Sequence, residues 1–334
     1  MMTNRENALR ILRFDNPERV MGGLPCYTMA YHGVNHQAYD DAYTVSDGHD
    51  RPLGEVWYDI WNTGWVKEQE AYMGFPKYPP LDSPDKLRDY CWPDPNDPRI
   101  YEKIYQRAAS FDKSSDCFLA GAHRDTLWEK AYMLVGMENM MTYFYTEPDF
   151  AKEILHNIMN FQLGIAKHYL KAGIEVASCG DDLGTQQSTL FSPQIMEEFL
   201  MPEYRRLFSL YKEHNVIINF HSCGHIEPVI HYFIDLGIDV LNPVQATAND
   251  LRNLRALAGR KLSFAGAIST AVLMEGPVEA IDKAVCDTIA LLGYDTGEAS
   301  GHAGGYFCAP DQGMDFPEVY YDAYVAALEK YAKY

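Results

Sequence analysis

Positive charge is scarce in this sequence. Its 334 residues include 28 Lys and Arg but 47 Asp and Glu, which gives a formal net charge of −19 at pH 7. Affinity for nucleic acids and for anionic membrane surfaces comes mainly from clustered Lys and Arg side chains. The charge balance therefore predicts that neither nucleic acid nor a membrane is a partner, and it disfavours a substrate that carries many carboxylates.

Long apolar runs are also missing. No run approaches the roughly 20 residues that span a bilayer, and the opening segment (MMTNRENALRILRFDN) lacks the apolar core of a signal peptide. The seven cysteines are odd in number and scattered, which is typical of reduced thiols rather than of a disulfide framework. We therefore expect a cytoplasmic protein whose thiols are available to bind metal.

The glycine motifs of nucleotide binding are absent as well, because no G-x-G-x-x-G follows a predicted strand and no P-loop is found. Instead, short apolar runs alternate with helical stretches after about residue 110, which is typical of βαβ units and a parallel sheet. Strands are predicted at 20–27, 117–122, 174–179, 216–220, 238–241, 262–267 and 304–308. Helices are predicted at 4–14, 150–171, 192–214, 227–236, 251–258 and 277–292. Seven strands are predicted, whereas a complete barrel needs eight. The predicted fold is nevertheless α/β, a single distorted (β/α)8 TIM barrel.

The first third of the chain has a different character. Eight prolines between residues 52 and 98 and several aromatic residues predict an irregular N-terminal elaboration. We divide the chain into 1–115, the elaboration with the first helix and strand, and 116–334, the main part of the barrel. The spacing of Trp57, Trp61 and Trp65 suits either short strands or one face of a helix. Their side chains are expected either to pack in the core or to contact substrate.

The strongest local signal is the run VIINFHSCG at 216–224. His221 and Cys223 are two residues apart on an extended backbone, so their side chains point to the same side of the sheet. An imidazole and a thiolate together suit Zn²⁺. Gly224 allows a sharp turn at the strand end, where barrels build their active sites. The alternative is a strand-end histidine bonded to backbone beside an inert buried cysteine.

Further candidates follow other predicted strands. Cys308, in the last strand, is a candidate third metal ligand or else a core thiol. Asp181 and Asp182 are candidate ligands, bases or substrate anchors, or else parts of a helix cap and an acidic loop. Arg124 is a candidate partner for a negative group, or else pairs with the neighbouring Asp125. Candidate substrate-binding residues at the predicted mouth are Tyr27, Trp57, Trp61, His123, Gln245 and His302.

In combination, these motifs resemble the uroporphyrinogen decarboxylase superfamily, and within it the cobalamin-dependent zinc methyltransferase branch. The resemblance rests on the segments 181–186 (DDLGTQ), 192–193 (SP), 220–224 (FHSCG), 237–245 (GIDVLNPVQ), 264–268 (FAGAI) and 304–310 (GGYFCAP). It spans most of the chain and implies a (β/α)8 barrel. It also implies that His221 and Cys223 hold the metal.

Two departures from the family patterns stand out. The true decarboxylases carry an arginine-rich motif after the first strand to hold the propionates of the porphyrinogen, whereas residues 24–33 (LPCYTMAYHG) contain no arginine. In the zinc methyltransferases a cysteine after the Ala-Pro of the last strand completes the site. Here Cys308 precedes Ala309 and Pro310, at an even offset that would keep the same face of an extended strand.

The resemblance implies a zinc-dependent methyltransferase that moves a methyl group between a small methylated compound and a corrinoid (cobalamin) protein. A methoxylated aromatic is one candidate substrate. Asp181 or Asp182 would act as ligand or proton relay. The chain has no D-x-H-x-x-G cobalamin-binding motif, so the corrinoid is expected on a separate partner protein. A homodimer is the candidate assembly of the chain itself. The alternatives are a cofactor-independent decarboxylase of a smaller acid, with Arg124 holding the carboxylate, and a non-catalytic corrinoid- or metal-binding protein.

Overall fold

Seven parallel strands form the main sheet of the protein. A computed structural model describes residues 2–41, 49–70, 72–294 and 303–334. Neighbouring strands of the sheet follow chain order, as expected where each strand is joined to the next by a crossover. The strands are β1 (Cys26–Ala30), β5 (Phe118–His123), β6 (Val176–Gly180), β7 (Ile217–His221), β8 (Val240–Val244), β9 (Ser263–Ile268) and β10 (Tyr306–Pro310).

The sheet curls so that its two edges approach each other through the segment before β1. Met21 forms a parallel bridge with Phe307 of β10, and the Cys308 amide donates to the Met21 carbonyl. Cys26 then pairs with Phe118 of β5. An eighth strand is not assigned among the described residues, so the predicted (β/α)8 count is replaced by a curled seven-stranded sheet. The segment at 20–27 is interrupted because Pro25 lacks an amide proton and cannot donate to a ladder.

Helices cover the outer face of this sheet. The helices that were not predicted lie in the first half of the chain and near its end. The helices are α1 (Asn4–Arg13), α2 (Pro98–Ala109), α3 (Trp128–Val135), α4 (Met137–Thr146), α5 (Pro148–Ala172), α6 (Pro193–Ile195), α7 (Met201–Glu213), α8 (Ile230–Asp235), α9 (Leu251–Ala258), α10 (Thr270–Glu275), α11 (Val278–Leu292) and α12 (Glu318–Tyr331). A π-helical turn at Met196–Leu200 joins α6 to α7. None of the helices in the described part of the chain has the length and apolar character needed to span a membrane.

A small antiparallel sheet lies in the connection between β1 and α2. It consists of β2 (Val56–Tyr58), β3 (Gly64–Val66) and β4 (Phe75–Tyr78). Trp57 and Trp65 are cross-strand partners in this sheet, and Trp61 lies in the connection between them. The helix-face interpretation of the three tryptophans is therefore wrong, because their spacing reflects a hairpin with a five-residue connection from Asp59 to Thr63.

Helix α1 closes the N-terminal end of the curled sheet. Thr3 caps the helix by accepting a hydrogen bond from the Glu6 amide, which satisfies one of the orphan donors of the first turn. Ala8 and Ile11 are fully buried against inward-facing side chains of the strands, among them Phe118, Val176 and Phe307. The N-terminal end is therefore filled, and the C-terminal ends of the strands remain as the open end.

Candidate active site

A cavity of about 510 Å³ opens at the C-terminal ends of β5 to β8. Its floor consists of inward-facing strand positions, which recur every second residue along each strand. These floor residues are Ser178, Asn219, His221 and Asn242. Its walls come from the segments that follow the strands and include Arg124, Asp125, Glu129, Asp182, Cys223 and Gln312. This is the end of a parallel barrel at which active sites are built.

Asp182, His221 and Cys223 converge in this cavity. One ligand atom from each lies within 4.8 Å of the others. The His221 Nε2 atom lies 3.3 Å from Cys223 Sγ and 3.5 Å from Asp182 Oδ1. The side chains of Asp182 and His221 are 43% and 47% exposed, so the cluster is open to the solvent side of the cavity. The structure thus brings together the two residues of the His-x-Cys motif and the second of the two adjacent aspartates.

Strand register explains why these three residues meet. Gly180 at the end of β6 is paired with His221 at the end of β7. Asp182 and Cys223 each follow two residues later, so the extended backbone brings them to the same side. The Cys223 amide donates to Asp182 Oδ1 at 2.9 Å, which ties the two segments together.

Gly224 lets these two segments approach closely. Its φ is +88°, and a Cβ there would meet the Gly184 carbonyl atoms at 2.4 Å. Only glycine adopts this backbone conformation without strain and leaves room for the neighbouring main chain. The glycine that ends the His-x-Cys motif therefore positions Cys223 against the segment that carries Asp182.

His221 is oriented by a side chain on the next strand. Its Nδ1 atom lies 3.2 Å from Asn242 Oδ1, and Asn242 in turn donates to Asn219 Oδ1 at 2.5 Å. A hydrogen bond at one ring nitrogen fixes the tautomer and leaves the other nitrogen for a metal. Here Nε2 faces Asp182 and Cys223. Asn242 was not among the predicted site residues, although it immediately precedes the Pro-Val-Gln of the 237–245 segment.

The donor set and its spacing fit a tetrahedral metal ion. With Zn–N, Zn–O and Zn–S bonds of ~2.0–2.3 Å, tetrahedral ligands lie about 3.4–3.6 Å apart, close to the two distances from His221 Nε2. Burial and the Asp182 carboxylate raise the pKa of Cys223 to about 12, so a cation is needed to hold the thiol as a thiolate at neutral pH. One carboxylate, one imidazole and one thiol would leave a fourth position open, as catalytic zinc sites do.

Cys308 does not belong to this cluster, which corrects the expectation that it is the third ligand. Along β10, Phe307 faces the interior of the curled sheet, and Cys308 faces the opposite side, where it is fully buried in the outer core. The resemblance places the third cysteine after the Ala-Pro, which here is beyond Pro310 at the end of β10. An even offset keeps two side chains on the same face only along an extended strand, so Cys308 does not take the place of that cysteine. Gln312, just beyond that end, contacts the cluster instead, with its Nε2 3.4 Å from Cys223 Sγ.

Asp181 has a different role from its neighbour Asp182. Its fully buried carboxylate accepts hydrogen bonds from the amides of Leu127 and Glu129, at 2.8 and 2.7 Å, and from the Tyr204 hydroxyl at 2.6 Å. It therefore caps the N-terminus of α3 from outside the helix, in place of the metal or proton-relay role considered for it. Burial raises the pKa of this carboxyl to about 7.

The wall of the cavity also carries Arg124, Asp125 and Glu129. Arg124 lines the cavity, and its Nε lies 3.8 Å from Asp125 Oδ1, the neighbour named as its alternative partner. Glu129 was not predicted, because its position in the first turn of α3 gives no motif. Burial, and then the charges of Asp125, Asp181 and Asp182, raise the pKa of Glu129 to about 9.

Most of the predicted substrate-binding residues lie elsewhere. Tyr27 faces outward from β1 and packs on Phe111, because inward-facing positions of β1 alternate with it. Trp57 and Trp61 are buried and pack against other aromatic rings. The cavity is therefore not lined by the aromatic residues proposed for it, and His302 lies outside the described residues.

His123 and Gln245 do not line the cavity, and their side chains form hydrogen bonds outside it. His123 is fully buried, with Nδ1 2.7 Å from Gln162 Oε1 and Nε2 bonded to the Tyr211 hydroxyl, and burial lowers its pKa to about 4. Gln245 Oε1 accepts from the Gly224 amide at 2.7 Å. His123 faces the outer side of the sheet, and Gln245 faces the segment that follows β7. A prediction of where a strand ends does not show whether a side chain faces the mouth or one of these other sides.

The curled parallel sheet, plugged at one end and carrying a polar cavity at the other, defines a protein of the α/β-barrel class. The family model for uroporphyrinogen decarboxylase (URO-D) matches residues 126–324. The chain belongs to this family.

Among solved structures, the fold is similar to that of a methyltransferase from Methanosarcina mazei. The TM-score is 0.67 at 16% sequence identity, and the match covers 99% of each chain. A xylose isomerase domain protein from Planctomyces limnophilus matches 64% of this chain and 85% of its own at 13% identity, with a TM-score of 0.32 that supports no argument. No curated protein sequence matches the chain. The similarity to the methyltransferase establishes the fold shared by the two chains.

Proposed function

We propose that the protein is a zinc-dependent methyltransferase that moves a methyl group between a small methylated compound and a separate corrinoid protein. The observation that carries the proposal is the cluster of Asp182, His221 and Cys223 in a cavity at the open end of the sheet. Three mixed donors with an open fourth position are typical of a catalytic rather than a structural zinc site.

Two further observations favour methyl transfer over porphyrinogen decarboxylation. A solved structure whose fold matches 99% of the chain is named a methyltransferase. Residues 24–33 hold no arginine to bind the propionates of a porphyrinogen, and carboxylates rather than cations dominate the cavity walls. A large polyanionic substrate would meet repulsion there.

The residues of the cavity would have different roles in such a reaction. Asp182, His221 and Cys223 would hold the ion, and Asn242 would keep His221 Nε2 turned towards it. Bound there, Zn²⁺ would supply Lewis acidity to the heteroatom that carries the methyl group. The cavity of about 510 Å³ limits the substrate to a small molecule. Among the described residues, those that line it include no Phe, Tyr or Trp, so stacking on such a ring does not support the methoxylated aromatic as the substrate.

The metal assignment predicts that the His-x-Cys motif is required for zinc. We expect His221→Ala and Cys223→Ser to lose most of the zinc that copurifies with the wild-type protein, because each removes one of three protein ligands. Elemental analysis of the purified proteins measures this. Cys91→Ser is the matched control, since Cys91 is an exposed free cysteine outside the cavity, and it should keep full zinc. Full zinc occupancy in both site variants would refute the metal assignment.

Methyl transfer itself is tested with a panel of methylated compounds and reduced cobalamin, read by the change in cobalamin absorbance. Wild-type protein should methylate cobalamin from at least one compound, and the two site variants should not. Pull-down with a corrinoid protein then tests the partner. If the metal-free protein instead releases CO₂ from a small acid, the alternative of a cofactor-independent decarboxylase replaces this proposal.

A further inference from the structure

Glu129 lies in the wall of the cavity that holds the candidate metal cluster. It occupies the first turn of α3 and is half-buried, and its side chain lines the same cavity as Asp182, His221 and Cys223. Its main-chain amide donates to Asp181 Oδ1 at 2.7 Å, so the turn that carries it is anchored to β6. The turn that carries Glu129 is therefore held in place in the wall of this cavity.

The surroundings of Glu129 favour its neutral form. Asp125 follows β5, Asp181 and Asp182 follow β6, and all three carboxylates raise its pKa, as burial does, while Arg124 lowers it. The Tyr132 hydroxyl donates to Glu129 Oε1 at 3.3 Å, which by itself favours the carboxylate, but burial and the three neighbouring carboxylates outweigh it. A cation on Asp182 would remove one of the three carboxylate charges, but burial, Asp125 and Asp181 still favour the protonated acid.

We propose that Glu129 is the general acid of this site and delivers a proton to the oxygen from which the methyl group departs, so that the substrate is a methyl ether. This inference rests on the proposed function and specifies its substrate class. It gives a chemical role to a half-buried carboxyl that lines the same cavity as the cluster and is not one of its three members.

The step balances with one proton and one nucleophile. The bond between the ether oxygen and the methyl carbon breaks, and its electron pair stays on the oxygen. The methyl group passes to a two-electron nucleophile, which in the proposed function is a Co(I) corrinoid that becomes methyl-Co(III). The oxygen takes the proton of Glu129 and leaves as an alcohol or phenol, and the carboxylate of Glu129 regains a proton from solvent before the next turnover.

The need for this proton depends on the leaving group. An alkoxide is comparable in basicity to hydroxide, whose conjugate acid has a pKa of ~15.7, and it is a poor leaving group without a proton. A thiol has a pKa of ~8.5, so a thiolate leaves readily, and a quaternary ammonium ion already leaves as a neutral amine. A buried acid beside the reacting centre is therefore of most use to a methyl ether.

Glu129→Gln tests the inference with two substrates that differ in leaving group. We expect the variant to lose about 10²–10³-fold in kcat with methoxybenzene and less than ~tenfold with 4-nitromethoxybenzene, whose phenolate leaves without a proton. Wild-type kcat with methoxybenzene should fall as the pH rises through the raised pKa of Glu129, because the acid form of Glu129 is required, and the variant should lack that fall. Glu138→Gln, at an exposed glutamate of α4, is the matched control and should behave as wild type.

The outcomes separate this inference from the proposed function. Equal losses with both ethers, or no loss with either, in a variant with full zinc would overturn the role of Glu129 and leave methyl transfer standing. Methyl transfer by wild-type protein from thioethers or quaternary ammonium compounds but from no ether would overturn the substrate class. Zinc-loaded wild-type protein that transfers methyl from no compound would refute the proposed function and this inference with it.

Discussion

At the scale of single residues, the adjacent Asp181 and Asp182 have different roles. Asp182 is half-exposed and lies beside His221 and Cys223. Asp181 points the other way, is fully buried and accepts three hydrogen bonds. The direction of each side chain, which alternates along extended backbone, decides that one carboxylate can meet a metal and the other anchors α3.

The burial of Asp181 predicts a pH dependence of stability. Its pKa is about 7 in the folded protein and ~3.9 when unfolded, so the folded state binds more protons between these values. The free energy of unfolding that Asp181 contributes should therefore fall as pH rises from about 4 to 7 and stay constant above that.

Asp181→Asn isolates this contribution, because asparagine has nearly the same shape and no titrating group. Urea unfolding of both proteins at several pH values should show wild type losing stability relative to the variant between pH 4 and 7. A difference that does not change with pH would contradict a raised pKa. Zinc content should be retained, since Asp181 is not in the cluster.

At the scale of elements, the two faces of each strand decide which candidates belong to the site. Inward-facing His221 and Asn242 line the cavity, whereas His123 and Cys308, on the outer face of β5 and β10, are buried against helices. A one-residue difference in register moves a side chain from the cavity to the outer core. Strand positions predicted to within one or two residues are therefore sufficient for the fold and insufficient for the ligand set.

This placement predicts that Cys308→Ala keeps its zinc. The thiol behaves as a small buried apolar group, so its loss should lower the free energy of unfolding by about 1 kcal/mol without changing the metal content. Elemental analysis and urea unfolding measure the two effects. Loss of zinc comparable to that of Cys223→Ser would show that Cys308 reaches the metal in solution.

At the scale of the whole molecule, the two ends of the curled sheet have separate roles. Helix α1 fills the N-terminal end with Ala8 and Ile11, and the cavity with its polar residues occupies the C-terminal end. This is the division of stability and activity expected of parallel barrels. Changes at the plugged end should therefore affect folding and leave the chemistry intact.

Ile11→Ala tests this separation. Removal of a fully buried aliphatic side chain should lower the free energy of unfolding by about 2–5 kcal/mol, measured by urea unfolding. The zinc content of the folded protein and the KM of any substrate found should stay at wild-type values. A selective loss of zinc from a variant that remains folded would show that the two ends are coupled.

The sequence by itself predicted much of the fold and part of the site. Each of the seven parallel strands overlaps a predicted one, because apolar runs between helical stretches reflect the burial of each strand on both faces, but the prediction at 20–27 covers only the first two residues of β1. His221 and Cys223 were predicted from their spacing at a strand end. Asn242 was not predicted as a site residue although it lies in the 237–245 motif, and Glu129 and Gln312 were missed because neither lies in a pattern that a periodicity or a local motif reveals.

The tertiary structure decided which of the candidates meet. Asp182 joins the cluster because Gly180 and His221 are paired across β6 and β7, a contact between residues 41 positions apart that no local pattern encodes. Cys308, Tyr27 and His123 are excluded because strand register turns them outward. Local sequence determines which residues can form strands and bind metal, whereas the direction of each side chain depends on register and curl, which only the packed sheet sets.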